Sequence, residues 1–204
     1  MGLAFFELWL SIAMITVLIV CIRGWKQIKK KWLVIPIFIV FFVGCSIFQT
    51  FPVENLFITF QTPEKAFRYE HMTGRIQGIM QGKASCFILY TDMNGAYSHM
   101  ICHKNEKGYK LAARGFSNQS YRSEVGAIPT IEVYNARNTK DFYIVCWFHS
   151  EELSISDNRN TEFLQLYDNN APANINMITY GYVENMDSDY YLIVDGEKIY
   201  LMDL

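Results

Sequence analysis

Two apolar runs separated by a short basic stretch constrain this chain more than any other feature. Leu3–Ile22, "LAFFELWLSIAMITVLIVCI", carries one charge, Glu7. Trp32–Phe48, "WLVIPIFIVFFVGCSIF", carries none. A helix rises 1.5 Å per residue, so about 20 apolar residues cross a bilayer core of about 30 Å. Neither run shows the polar face that a helix on a soluble core would keep. Between them lies "RGWKQIKKKW", with Arg23 ahead of Trp25 and Lys26, Lys29, Lys30 and Lys31 between Trp25 and Trp32. Basic residues in short loops stay on the cytoplasmic side, and Trp favours the membrane interface. The pattern predicts a transmembrane hairpin, with helices over about 3–22 and 32–49 and a cytoplasmic turn over 23–31. It places the protein in the cell membrane as a two-span, multi-pass chain with both termini outside. Glu7 would snorkel toward the outer end of the first helix. Gly44, Ser46, Ser11 and Ala13 are small enough to let partner helices approach.

The second run supports another reading. "KKKWLVIPIFIVFFVGCS" is a basic stretch, an apolar stretch, then Gly44-Cys45. It resembles a bacterial lipoprotein signal, and the resemblance implies a lipid on Cys45. Phe42 departs from the Leu usual at that position, and such signals normally begin a chain. Residues 1–22 lack the basic start and small-residue cleavage site of a secretory signal.

The charge balance changes after residue 51. Residues 1–51 hold five basic residues and one acid, and residues 52–204 hold 13 basic and 19 acidic ones. The net charges of +4 and -6 sum to the chain's -2. An acidic second part argues against a nucleic-acid partner, which requires clustered Lys and Arg. The domain organisation expected is a membrane hairpin over 1–51 and an extracytoplasmic domain over 52–204.

That second domain opens with "FQTPEKAF". Thr62 suits an N-cap, Pro63 a first helical position, and Glu64 the positive first turn. The helix is expected to run about nine residues and fade near Thr73-Gly74. Strand periodicity follows: "RIQGIMQ", "SCFILYT", "AYSHMIC", "YKLAARG", "IEVYN", "DFYIVCWFHS", "ELSIS", "EFLQLYD", "MITYGYVE" and "DYYLIVDGEKIYLM". Two-residue hairpin turns are expected at Asn94-Gly95 and Asp195-Gly196. About eleven short strands with polar turns predict a mainly antiparallel β domain, a sandwich or barrel-like meander behind one short α-helix. Gly115–Pro129 is expected to be the longest loop. A two-residue turn at Asn94-Gly95 would set Phe87 opposite Cys102 and Cys86 opposite His103.

No motif marks catalysis. His99 and His103 share a strand face, and Cys86 could join them around zinc or copper, but the histidines are ~13 Å apart along a strand. "HSEELSISDNRN" supplies His149, Ser154, Ser156 and Asp157, the letters of a triad without a nucleophile elbow. "YDNN" at 167–170 and "DSD" at 187–189 are acidic turns lacking the spacing of a calcium loop. Each group has a plainer reading as strand surface or turn chemistry. The Cys residues show no metal spacing and read as buried free thiols. No cofactor is expected. Tyr134, Tyr143, Tyr167, Tyr180, Tyr182, Tyr190, Tyr191 and Tyr200 give the strands large residues that also suit peptide or glycan recognition. The expectation is a membrane-anchored extracytoplasmic binding or accessory protein, partnered by a membrane protein or a surface ligand. The alternatives are a surface hydrolase acting on wall or peptide substrates, a lipid-anchored lipoprotein binding a small ligand, and a sensor. The ten-residue basic segment leaves a sensor no room for an output domain.

Overall fold

The computed structural model describes residues 52–112, 117–123, 130–148, 154–167 and 177–201, together with Thr16 and Ile19. Thr16 and Ile19 are helical; from residue 52 onward a 3₁₀ turn (Val53–Leu56) and an α-helix, α1 (Pro63–Glu70), precede twelve strands. The Thr62 side chain accepts from the Lys65 amide, Pro63 opens the helix and Glu64 lies in its first turn, as the sequence predicts.

The strands form three antiparallel sheets. Sheet A is the meander β1 (Arg75–Gln81), β2 (Ser85–Thr91), β3 (Tyr97–Asn105) and β4 (Gly108–Leu111). Sheet B contains β5 (Ser117–Ser123), β6 (Thr130–Ala136), β7 (Asp141–Phe148), β9 (Phe163–Tyr167) and β10 (Met177–Glu184), in the order β5-β6-β7-β10-β9. Sheet C joins β8 (Ile155–Asp157), β11 (Tyr191–Val194) and β12 (Glu197–Tyr200), in the order β12-β11-β8.

Period-two alternation sorts the side chains into three cores. Phe67 and Ala66 of α1 pack with Phe60 on one face of sheet A, against Ile88, Met100 and Leu111. The other face sends Met80, Phe87, Leu89 and Ile101 against Tyr134, Tyr143, Val145, Ile178 and Tyr180 of sheet B. The far face of sheet B meets Leu192 and Val194 of sheet C through Ile131, Ile144, Phe148 and Val183. The layers therefore stack as helix, sheet A, sheet B, sheet C. β2 is buried at every position because both its faces are covered, which explains the unbroken apolar run "CFILY".

The two membrane-spanning helices expected from the sequence are not seen among the described residues. Among the described residues no helix is long and apolar enough to cross a membrane. α1 has eight residues, against about 20 needed to span. An apolar run states a demand for burial, and a spanning helix is one way to meet it. The fold class is corrected to mostly antiparallel sheets, with the short helix α1 before them, among the described residues. The two-span membrane localisation with both ends outside is likewise not supported by the described residues. Apart from Thr16 and Ile19, residues 1–51 lie outside the described residues, and with them Cys45, Arg23, Lys26, Lys29, Lys30 and Lys31.

Two further expectations are corrected. The β2–β3 hairpin pairs Cys86 with Cys102 and Thr91 with Tyr97, one residue away from the register expected. The Asp92 amide bonds to Ala96 O and the Gly95 amide to Asp92 O, which makes a three-residue loop with Gly95 at φ 79°. Asp92 Oδ1 accepts from the Asn94 and Ala96 amides and favours this longer loop. In the stretch expected as the longest loop, Ser117–Ser123 instead forms edge strand β5, paired with β6 around a bulge between Gln119 and Tyr121. "SNQSYRS" lacks apolar alternation, and an edge strand held by main-chain pairing needs none. At the other expected turn, Asp195 and Gly196 both adopt positive φ, 50° and 85°, as a two-residue hairpin requires.

Candidate functional site

The polar groups inside the protein are largely engaged with one another. Asp141 opens β7 at 1% exposure. Its Oδ2 accepts from Ser85 Oγ at 2.6 Å and from the Ala84 amide at 2.9 Å. Its Oδ1 accepts from Tyr182 OH at 2.9 Å and from the Lys83 amide at 3.2 Å. Tyr143 OH lies 2.7 Å from Ser85 Oγ. Gly82 is needed here, because a Cβ would sit 2.6 Å from both Asp141 Oδ2 and Tyr143 OH. The cluster ties the β1–β2 turn of sheet A to sheet B. Ser85 and Tyr143 are fully buried, so no substrate reaches the serine. Burial pushes the Tyr143 hydroxyl well above its ordinary value, which keeps it a neutral donor.

The sequence candidates for metal binding and catalysis do not converge. His99 faces sheet B, stacked on Phe87 and 4.0 Å from the Tyr134 ring centroid. Burial holds the His99 and His103 imidazoles below their ordinary values. Cys86 points to the opposite face, into the core with Ile88 and Cys102. Among the described residues no three His, Cys, Asp or Glu side chains gather as a metal site would require. Cys86, Cys102 and Cys146 are buried free thiols. Burial raises all three, Cys86 to about 12, so they stay protonated and unreactive. Of the triad letters, His149 lies outside the described residues. Ser154 and Ser156 are exposed, while Asp157 is buried.

Asp157 is a turn builder. It accepts from the Arg159 and Thr161 amides and from Tyr190 OH. Burial alone would raise this carboxyl, but the hydrogen bonds from Thr161, Tyr190 and Arg159 outweigh burial and hold it below its ordinary value. A carboxylate depressed in the folded state stabilises the fold above its unfolded pKa, and that contribution is lost as pH falls through the folded value. Urea midpoints of the full chain should therefore fall as pH drops below about 4, the ordinary Asp value. Asp157→Asn should flatten that part of the profile; an unchanged slope would contradict the assignment. In the adjoining "DSD" turn, Arg159 holds Asp187 at 2.7 Å and Asp189 at 3.3 Å. Asp168–Asn170 of the other acidic turn lie outside the described residues.

A cleft lies at the edge of the A/B stack. β3 lies over β6, where His99 meets Tyr134, and β2 over β7, where Phe87 meets Tyr143. β1 lies over β10, since a Cβ at Gly78 would come 2.5 Å from Tyr180 OH. β9 continues sheet B past β10, and no described strand of sheet A lies above it. Ile79, Met80 and Gln81 of β1 form the wall of the resulting cleft, and Glu162, Leu164 and Tyr180 its floor. Its volume is about 250 Å³.

The two edges of sheet A differ. At the β4 edge, the Asn55 side chain accepts from Leu111 N and donates to Leu111 O. Phe60 and Tyr109 exchange main-chain hydrogen bonds beside it. At the β1 edge no described residue supplies such a cover. Leu164 is 43% exposed on the floor, and no described group pairs with the Glu162 carboxylate. The sequence marked the strands that build the cleft but not the cleft itself, because its position depends on sheet order.

No family model matches the chain, and neither a curated protein nor a solved structure matches it. The class defined by fold and geometry is a four-layer, mostly antiparallel β domain with one helical cover and an open edge cleft.

Proposed function

We propose that this protein is a binding module and that the cleft between β1 and β9 is its ligand seat. One observation carries the reading: among the described residues sheet B outreaches sheet A by one strand, and the position above β9 is floored by Leu164 and Tyr180 with Glu162 beside them. Proteins usually blunt a free strand edge with charge, a bulge or a covering segment. Here the β4 edge is covered by residues 55–60 while the β1 edge opens on the cleft. An apolar floor with a few polar groups at its margin is the composition of a binding site. The closed Ser85–Asp141–Tyr143 cluster favours binding over the hydrolase alternative.

The test is selection from a random peptide library on the full-length protein, followed by binding to two variants. Leu164→Arg should lower capture about tenfold or more, a loss of about 1.4 kcal/mol. Met93→Arg, at an exposed hairpin tip away from the cleft, should leave capture unchanged. Equal capture by wild type and Leu164→Arg would refute the reading.

A further inference from the structure

We infer that the cleft takes an extended polypeptide by main-chain pairing with β1, and reads one apolar and one basic side chain two residues apart. The inference rests on the binding reading above and adds the chemistry of the ligand.

The ladder identifies the free groups. The Gly82 amide donates to Ser85 O at 2.9 Å, so these two residues form a hydrogen-bonded pair. Pairs in an antiparallel ladder alternate between bonded and non-bonded. Met80–Phe87 is then bonded, while Ile79–Ile88 and Gln81–Cys86 are not. Ile79 and Gln81 therefore aim their amide and carbonyl groups away from β2, toward the cleft. The Gln81 side chain does not block them, because its Oε1 is engaged by Tyr109 OH and Lys104 Nζ. A strand added about 4.8 Å from β1 would satisfy these groups and supply the missing strand above β9.

Register sets the side-chain preference. Leu164 pairs with Tyr180, and both line the cleft together with Met80. Tyr182 bonds Asp141 and the Lys83 amide, so it lies under the β1–β2 turn. β9 runs antiparallel to β10, which places Glu162 beside Tyr182. A ligand residue opposite Met80 points down onto Leu164 and favours an apolar side chain. The residue opposite Gly82 points onto Glu162 and favours Lys or Arg. The acidic balance of residues 52–204 acts in the same sense.

The test uses fluorescence anisotropy of full-length protein with short synthetic peptides. These alternate with Thr and carry Val and Lys at inward positions two apart. Replacing that Lys by Glu should weaken binding about tenfold, and Glu162→Lys should reverse the preference. N-methylating one alternate set of amides should abolish binding, while methylating the other set should leave it within about twofold, since a strand bonds an edge through alternate residues. Peptides that bind through Leu164 but tolerate both methylation sets would overturn strand pairing and leave the binding reading standing. Failure of the whole panel, with no library peptide sensitive to Leu164→Arg, would overturn both. Self-association abolished by Leu164→Arg would give the edge to a second copy and overturn the peptide as occupant.

Discussion

Replacing Asp141 by Ala should lower the unfolding free energy of the chain by about 4 kcal/mol, measured by urea denaturation of the full-length protein. The substitution leaves the Lys83 and Ala84 amides, Ser85 Oγ and Tyr182 OH without their acceptor. A buried polar group left unsatisfied, as Ser85 would be, costs about 1–3 kcal/mol; the other three donors are only partly buried and share the site, so their costs are smaller and do not add fully. Asp141→Asn retains the shape but not the four acceptor directions. One face of its amide presents donors to donors, so it should recover only part of the loss. Ser85→Ala removes one donor and leaves the carboxylate three, so it should cost about 1 kcal/mol. A loss near 1 kcal/mol for Asp141→Ala would show that water replaces the carboxylate and that the cluster does not lock sheet A to sheet B.

The second large effect is expected at Gly108. Its φ of 132° is outside the range that side chains favour, and a Cβ would lie 2.3 Å from Phe60 O, a main-chain atom that cannot rotate aside. That oxygen accepts from Tyr109 N at 2.7 Å in the bridge that covers β4. Gly108→Ala must break the bridge or shift the segment that buries Phe60, at a cost of about 2–4 kcal/mol. Gly95 provides the control. Its φ is also positive, at 79°, but nothing lies within 4 Å of its added Cβ. Gly95→Ala should cost only the backbone term, about 1 kcal/mol. Equal losses at the two positions would show that clash adds nothing beyond strain.

These residues show what the sequence revealed and why the rest stayed hidden. The helix start at Thr62-Pro63 and the Asp195-Gly196 turn are local devices, and local chemistry identified both. The β2–β3 register depended on whether Asn94-Gly95 or Asp92 controlled the loop. Two hydrogen bonds to Asp92 Oδ1 moved every pair by one residue. β5 was missed because a polar edge strand has no apolar period to detect. The apolar runs 3–22 and 32–48 give a hydropathy signal but say nothing of sheet order. The Asp141 cluster joins residues about 56 apart, and the cleft arises from the order β10-β9 beside β1. Both are products of long-range pairing, which a single sequence does not display.

The central claim is that an extended ligand completes sheet A at the free edge of β1. The most direct measurement is hydrogen exchange of the full-length protein, alone and with the Val/Lys peptide, resolved over Arg75–Gln81. The account predicts that the peptide slows exchange in this segment, at Ile79 and Gln81, and leaves β4 unchanged. Unaltered exchange over Arg75–Gln81 at saturating peptide, with protection appearing elsewhere, would contradict it.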